Sequence, residues 1–355
     1  MDDFYELDFW NTESDCSGDA ISFRSCRDDQ ITIHVTDAGF QSSGDTIVSN
    51  IRKYYDNPAY IDHVVVSHPD GDHAGGLRSV LEEFTIGNLW MLRPWIYAEA
   101  MIDRFENYSS VPHLKGRLKR IYPNIAALEE IALNKGIPIH APFQGTEIGE
   151  FLVLSPSLAR YIDLVVTSEK TPEHKEERGL LDEVFEAIAS VVSLVFSPWG
   201  NENFSEEETS AENEMSIIQY TNFMEHRVLL TADAGRTALS DAIEYSLDIG
   251  IDFPGLDVFQ VPHHGSRRNV SSEILDELLG TKLGAKLFGR NFTGVVCASQ
   301  KDKDHPRKAV TRAIYHRGGE VQTTERNNYG FRKNIPVRPG WGPVDPVPYP
   351  EDQEE

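Results

Sequence analysis

Short apolar runs broken by turn residues alternate with amphipathic stretches along the first third of the chain. Ala20 to Phe23 and Ile31 to Val35 read as strands, and the second runs into Asp37-Ala38-Gly39. From Thr46 to about Tyr55 the apolar residues Ile47, Val48, Ile51 and Tyr55 recur at helical spacing. Val64 to Val66 is a short buried strand that leads directly into Ser67-His68, a polar loop and a helix from Gly76 onward. Later strands are predicted at Ser216 to Tyr220, at Arg227 to Leu230 with Ala232-Asp233 at its end, and at Gly294 to Ala298. Another, Val258 to Val261, ends in Pro262-His263-His264-Gly265-Ser266. Helices are expected from about Asn124 to Lys135, stopped by Gly136, around 179–196, and opening near Ser271 or Ser272.

Two stretches read as insertions, about 90–147 and about 160–212. The first carries Trp90, Trp95 and the basic run Lys115, Arg117, Lys119 and Arg120; the second ends in an acidic, polar segment, Asn201 to Glu212, expected to be mobile. Beyond Gly330 the chain turns Pro-rich and acidic and is expected to be extended or disordered. The organisation predicted is one domain over 1–335 and a tail over 336–355, with no internal repeat.

Composition narrows the setting. Of 355 residues 40% are apolar and 25% charged, an ordinary globular balance. No run reaches the ~18 apolar residues of a membrane span. Three scattered cysteines, Cys16, Cys26 and Cys297, form no disulfide framework, and the acidic start differs from a secretion signal. A cytoplasmic location without membrane attachment is therefore expected. A net charge of -24 opposes non-specific nucleic-acid binding by the whole surface. Between His263 and Arg312, however, ten Lys/Arg face five acids.

The chemistry concentrates in His68-Pro69-Asp70-Gly71-Asp72-His73. Four ligand-type side chains within six residues, at the end of a strand, suit a pair of divalent ions. His68 and Asp70 are placed to reach one ion, Asp72 and His73 the other. His34, His63, His113, His140, His174, His226 and His316 have no such neighbours and read as packed or solvated histidines.

Ser67-His-Pro-Asp-Gly-Asp-His-Ala-Gly-Gly76 resembles the signature of the metallo-β-lactamase superfamily in its H-x-D-x-D-H variant. The resemblance continues in order through Gly18-Asp19-Ala20, Asp37-Ala38-Gly39, Asn213-x-x-Ser216, Leu230-Thr-Ala-Asp233, Val261-Pro-His-His-Gly-Ser266, Ser299, His305-Pro306 and Thr323. That series is most similar to the metallo-β-lactamase domain of ComEC-type competence proteins, here without their membrane channel. The resemblance implies a four-layer αββα sandwich of α/β class with two insertions. It also implies metal ligation by His68, Asp70, Asp72 and His73, a bridging Asp233, and Asp37 orienting a ligand. Many members supply a further histidine from the strand matching Phe151 to Leu154, where this chain has Ser155. The pair His263-His264 is the substitute, and His305 is expected on the other ion. The expected sets are His68, Asp70, Asp233 and His264, and Asp72, His73, Asp233 and His305. Since adjacent histidines on an extended backbone point opposite ways, one of the pair, taken as His263, would face substrate; the choice stays open.

Two ions of zinc or manganese would activate a bridging water toward hydroxide at neutral pH. The leading expectation is a phosphodiesterase or nuclease acting on DNA, a nucleotide or another phosphoester, with Ser266, Arg267 and Arg268 holding a phosphate oxygen. A lactone, thioester or β-lactam hydrolase is the alternative. A non-catalytic scaffold whose insertions bind a protein partner is the third.

Overall fold

The computed structural model describes residues 2–105, 108, 110–171, 193–286 and 290–355. The chain forms strands β1 (Phe4–Phe9), β2 (Ala20–Arg27), β3 (Gln30–Ala38), β4 (Tyr60–Val65), β5 (Thr85–Trp90), β6 (Ile139–His140), β7 (Glu147–Ile148) and β8 (Phe151–Ser155). They continue with β9 (Leu194–Phe196), β10 (Ile218–Phe223), β11 (His226–Leu230), β12 (Val258–Gln260), β13 (Thr293–Val296), β14 (Glu320–Thr323), β15 (Tyr329–Lys333) and β16 (Asp352–Glu354). Two 7-stranded sheets result, ordered β15-β1-β2-β3-β4-β5-β6 and β14-β13-β12-β11-β10-β8-β7. β9 and β16 pair with each other.

Three apolar clusters define the layers. Tyr5, Leu7, Phe9, Ile21 and Phe23 of one sheet meet Phe151, Phe223, Val228, Leu230, Val258 and Val295 of the other. Outside the first sheet, the helix Gly44–Tyr54 buries Ile47, Val48 and Ile51, and Leu77–Glu83 buries Leu77, Val80 and Leu81. Outside the second, helices Arg236–Asp248, Ser272–Leu279 and Lys308–His316 supply Leu239, Leu275, Leu278 and Ile314. The architecture is helices, sheet, sheet, helices. Burying one apolar face per sheet against the other and covering the outer faces with helices satisfies every layer.

Most predicted elements form where the pattern placed them. Ser271 caps Ser272–Leu279 by accepting from Ile274 N at 3.3 Å. Gly136, at φ +69°, closes Pro123–Lys135 in the left-handed conformation that glycine tolerates. Of the helix expected around 179–196, residues 179–192 lie outside the described residues and 194–196 are instead strand β9. The acidic segment expected to be mobile is tied down: Arg236 donates to the carbonyls of Ser205, Glu206 and Glu207, and Ser205 N to Arg267 O. The stretch after Gly330 contributes to β15 and forms β16, whose Gln353 and Glu354 are buried. β1, absent from the predicted elements, alternates Glu6 and Asp8 with Tyr5, Leu7 and Phe9, which is the period of a strand. Both acids are buried with Arg24, Arg332 and Arg338.

Four strands of each sheet run parallel, β3-β4-β5-β6 and β11-β12-β13-β14. Asp37 lies at the carboxyl end of such a strand, and Ser67-His68, Asp233 and His263 follow the carboxyl ends of others. Open α/β sheets place their ligand crevices there.

Candidate metal centre

The loop after β4 folds into the one-turn helix Gly71–Ala74, which seats His73 at 0% exposure between the sheets. Close backbone approach fixes the loop: Asp19 N donates to Asp72 O at 3.1 Å, and a Cβ on Gly18 would lie 2.8 Å from that oxygen.

Each histidine near Asp233 is held through Nδ1. Asp37 Oδ2 accepts from His73 Nδ1 at 2.9 Å, and Asp37 also accepts from Ser67 N and Ser67 Oγ. Ser67 Oγ spends its proton on Asp37, so it accepts from His68 Nδ1 at 3.1 Å. Cys297 O, which can only accept, takes His264 Nδ1–H at 2.8 Å. Asn269 Nδ2 donates to the carbonyls of Asp233 and Ala234, which turns its Oδ1 toward His263 Nδ1 at 3.1 Å, and Asn213 Nδ2 approaches the same nitrogen at 2.9 Å. With Nδ1 committed, every Nε2 points at Asp233. A ligand histidine whose other nitrogen is fixed by an acceptor is the usual support of a metal site.

The distances fit ions. Two donors each ~2.1 Å from a tetrahedral ion stand about 3.4 Å apart. His73 Nε2 is 3.2 Å from Asp233 Oδ1 and 3.6 Å from Asp72 Oδ2, and His264 Nε2 is 3.3 Å from Asp72 Oδ2 and 4.0 Å from Asp233 Oδ1. Asp233 Oδ2 faces His68 Nε2 at 3.8 Å and His263 Nε2 at 3.6 Å. His68 Nε2, His73 Nε2 and Asp233 Oδ1 are buried without a hydrogen-bond partner. Buried polar atoms are rarely left so, and converging unsatisfied donors and acceptors fit a bound cation. Asp72, His73, Asp233 and His264 together could hold one ion.

Electrostatics show what holds the centre together without ions. Burial opposes a charge on His73, but Asp233, Asp72 and Asp19 push its pKa well above 6.5. His264 is raised likewise, against burial, by Asp233, Asp19 and Asp72. Asp72, despite desolvation, is drawn down to about 2 by His73 and His264. Asp233 is drawn well below its ordinary value, against burial, by His263, His73 and His264. His68, by contrast, is lowered by burial and by His73.

Several expectations change. His264 sits with Asp72 and His73, not with His68 and Asp70. His263 and His264 are not on extended backbone; at φ 47° and 54° they form a left-handed turn that swings both rings toward Asp233. His305 is not gathered into this ligand group. Its Nδ1 donates to Asp302 Oδ2 at 3.1 Å, and its ring lies 6.0 Å from that of His263 and 6.3 Å from that of His264. Asp70 is paired with Lys170 Nζ at 2.9 Å. Ser155 is buried, with no hydrogen-bond partner for Oγ. Arg267 donates to the carbonyls of Asn203 and Glu355, Arg268 pairs with Glu207, and the Ser266 hydroxyl accepts from Arg268 N.

Asp19 was missed as a site residue. Its carboxylate is buried 3.7 Å from His73 Nδ1 and 3.4 Å from His264 Nδ1, and Asp19, Asp37 and His73 form a second acidic cluster. Its position beside Gly18 in an opening strand carried no ligand-like spacing. Asn269 and Cys297 were missed because one acts through a side-chain amide and the other through its carbonyl.

Residues 33–135 match the sequence model of the metallo-beta-lactamase superfamily. The match runs across most of the stretch expected as the first insertion. No curated protein matches the chain. Among solved structures, a variant of the β-hydroxylase CmlA is 11% identical with a TM-score of 0.42, over 94% of this chain and 54% of that one. The chain thus spans about half the length of that protein. A putative metallo-beta-lactamase from Thermotoga maritima is 11% identical, TM-score 0.29, over 70% and 86% of the two chains. A metallo-beta-lactamase from Novosphingobium pentaromativorans is 11% identical, TM-score 0.31, over 76% and 78%.

Proposed function

Because the chain carries a metallo-beta-lactamase superfamily domain, with two sheets flanked by helices in the matching fold, we propose that it is a metal-dependent hydrolase of phosphoesters, acting on a small phosphodiester such as a nucleotide. The observation that carries the metal dependence is the convergence of His68, His73, His263 and His264 Nε2 on Asp233. Asp72, His73, Asp233 and His264 would hold one ion, and His68 would serve a second through the other Asp233 oxygen. Carboxylates among the donors admit manganese beside zinc.

A pair of such ions supplies an activated water and neutralises charge building on substrate oxygens. The protein's own groups set the geometry for it. Asp37 and Cys297 O keep His73 and His264 in the tautomer that leaves Nε2 unprotonated. Asp302 holds His305 through Nδ1, leaving Nε2 for a hydrogen bond to substrate beside the His263-His264 turn.

The motif series similar to ComEC-type proteins supports the phosphoester class. A small substrate is favoured over long DNA by charge pairing across the basic stretch. Arg268 meets Glu207, Lys301 meets Asp15, Arg307 meets Asp304, and Lys308 meets Asp352. Buried Arg312 donates to the carbonyls of Ser197, Pro198 and Pro350. Five of the ten cations are therefore paired with acids or buried.

The test is an activity panel with zinc or manganese: bis-p-nitrophenyl phosphate, plasmid and single-stranded DNA, a lactone and nitrocefin. Metal-dependent cleavage of bis-p-nitrophenyl phosphate with plasmid left intact is expected. Turnover of the lactone or nitrocefin alone, or of nothing, overturns the proposal.

A further inference from the structure

Asp233 has two oxygens, and the donors are shared unequally between them. Asp72, His73 and His264 gather around Oδ1. From the His68–His73 loop, Oδ2 receives only His68, whose Nε2 is buried and without a partner 3.8 Å away. Asp70, expected to join it, is committed to Lys170 at 2.9 Å, with about a third of its side chain (32%) exposed. Ser155 brings only a hydroxyl, a poor ligand for a divalent ion.

We propose that His263 is the missing donor, so that His68, His263 and Asp233 Oδ2 form the second ion site. This rests on the metal dependence proposed above and assigns its incomplete half. His263 Nε2 stands 3.6 Å from Asp233 Oδ2, close to the ~3.4 Å separation of two donors on one ion. Its ring is placed independently, with Nδ1 between Asn269 Oδ1 at 3.1 Å and Asn213 Nδ2 at 2.9 Å. Asn269 is buried, its Nδ2 is spent on the carbonyls of Asp233 and Ala234, and only its Oδ1 is left for the ring. Asn269 therefore ties the ring of His263 to the backbone of the residue whose carboxylate it faces. The backbone adds a second constraint. Two successive non-glycine residues in the left-handed region persist only where their surroundings over-determine them. Here His263 N donates to Ala232 O and Ser266 N to His263 O, closing the turn against the Asp233 strand end. Three protein donors leave a coordination position for substrate, as catalytic rather than structural ions require.

The test counts ions in the full chain. Wild type, His263→Ala, Asn269→Ala and Asp70→Ala are loaded with cobalt or zinc, freed of unbound metal and analysed by elemental analysis. Cobalt absorption is followed through the first and second equivalents. Two ions are expected in wild type and in Asp70→Ala. His263→Ala should hold one and lose the spectral change of the second equivalent. Asn269→Ala should bind the second ion about 10–100-fold more weakly, the usual effect of removing a group that orients a ligand. The metal-free melting temperatures of all four proteins report folding; if His263→Ala is misfolded, Asn269→Ala carries the comparison. Two ions of unchanged affinity in folded His263→Ala and in Asn269→Ala overturn the assignment, as does loss of one ion from Asp70→Ala alone. Failure of wild type to bind any ion overturns the metal dependence itself.

Discussion

Replacing Asp37 by asparagine isolates the contribution of a residue that would touch no ion. Asp37 accepts from Ser67 N at 2.9 Å, from Ser67 Oγ, and from His73 Nδ1 at 2.9 Å. An asparagine has one accepting atom. If its oxygen keeps Ser67 N, its amide meets Ser67 Oγ and His73 Nδ1. His73 then relieves the donor–donor contact by moving its proton to Nε2, the nitrogen the ion needs. Asp37 sits at φ 58°, which asparagine tolerates as well as aspartate, so backbone strain adds nothing; alanine would lack that tolerance. Removing such an outer partner costs 10–100-fold in metal affinity, or about 1.4–2.8 kcal/mol. In the metal-free protein the lost charged hydrogen bonds cost about 1.5–3 kcal/mol. Competition against a chromophoric chelator measures the first quantity, and urea unfolding in EDTA the second. An Asp37→Asn protein that binds zinc within twofold of wild type refutes the tautomer argument.

Three further outcomes are expected. Stability of the metal-free protein should depend on pH in a defined sense. His73 and His264, raised above 6.5, stabilise fully below that pH and lose the contribution as pH climbs through their folded values, whereas Asp72 and Asp233, lowered from 3.8, contribute above that value and lose it on acidification. The melting temperature without ions should therefore peak between these limits, and the increment on adding zinc should grow with pH; an increment that shrinks from pH 6 to 8 contradicts this. His305→Ala should keep the wild-type ion content while slowing phosphoester turnover about 10²–10³-fold; a lost ion would restore His305 as a ligand. Arg338→Ala removes the guanidinium that meets Asp8 at 2.9 and 2.8 Å and Glu6 at 3.1 Å. Asp8 keeps Arg332 and Glu6 keeps Arg24, so the cost is that of lost charge-assisted hydrogen bonds, about 1.5–3 kcal/mol, read by urea unfolding, and a loss below ~1 kcal/mol would show the network to be dispensable.

What could be read from the sequence was local. His68 to His73 lie in one loop after a run of valines, and both facts are visible without coordinates. The reach of Asp233 to this loop was implied by the family resemblance, which placed it at a strand end. The His263-His264 turn was illegible because its left-handed backbone has no compositional mark; neither residue is glycine, and the turn is imposed by contacts with Ala232 and Cys297. The charge balance around the basic stretch was illegible for a different reason. A charge count over a window sees the cations but not Glu207, Asp15 or Asp352, which approach from distant parts of the chain. β1 was missed although its alternation has the period of a strand; the burial of Glu6 and Asp8 was illegible because Arg332 and Arg338 reach them from distant sequence.

The most direct test is the ion content of wild type beside Asp233→Ala, each reconstituted with zinc or manganese, freed of unbound metal and examined by elemental analysis with circular dichroism as a control for folding. Among the described residues Asp233 faces all four imidazoles, so its loss should reach both ions. About two ions per chain in wild type, and less than one in a folded Asp233→Ala protein, is the predicted result. A wild type that retains no transition metal, or an Asp233→Ala protein that still retains two, would contradict the assignment of this cluster as a metal centre.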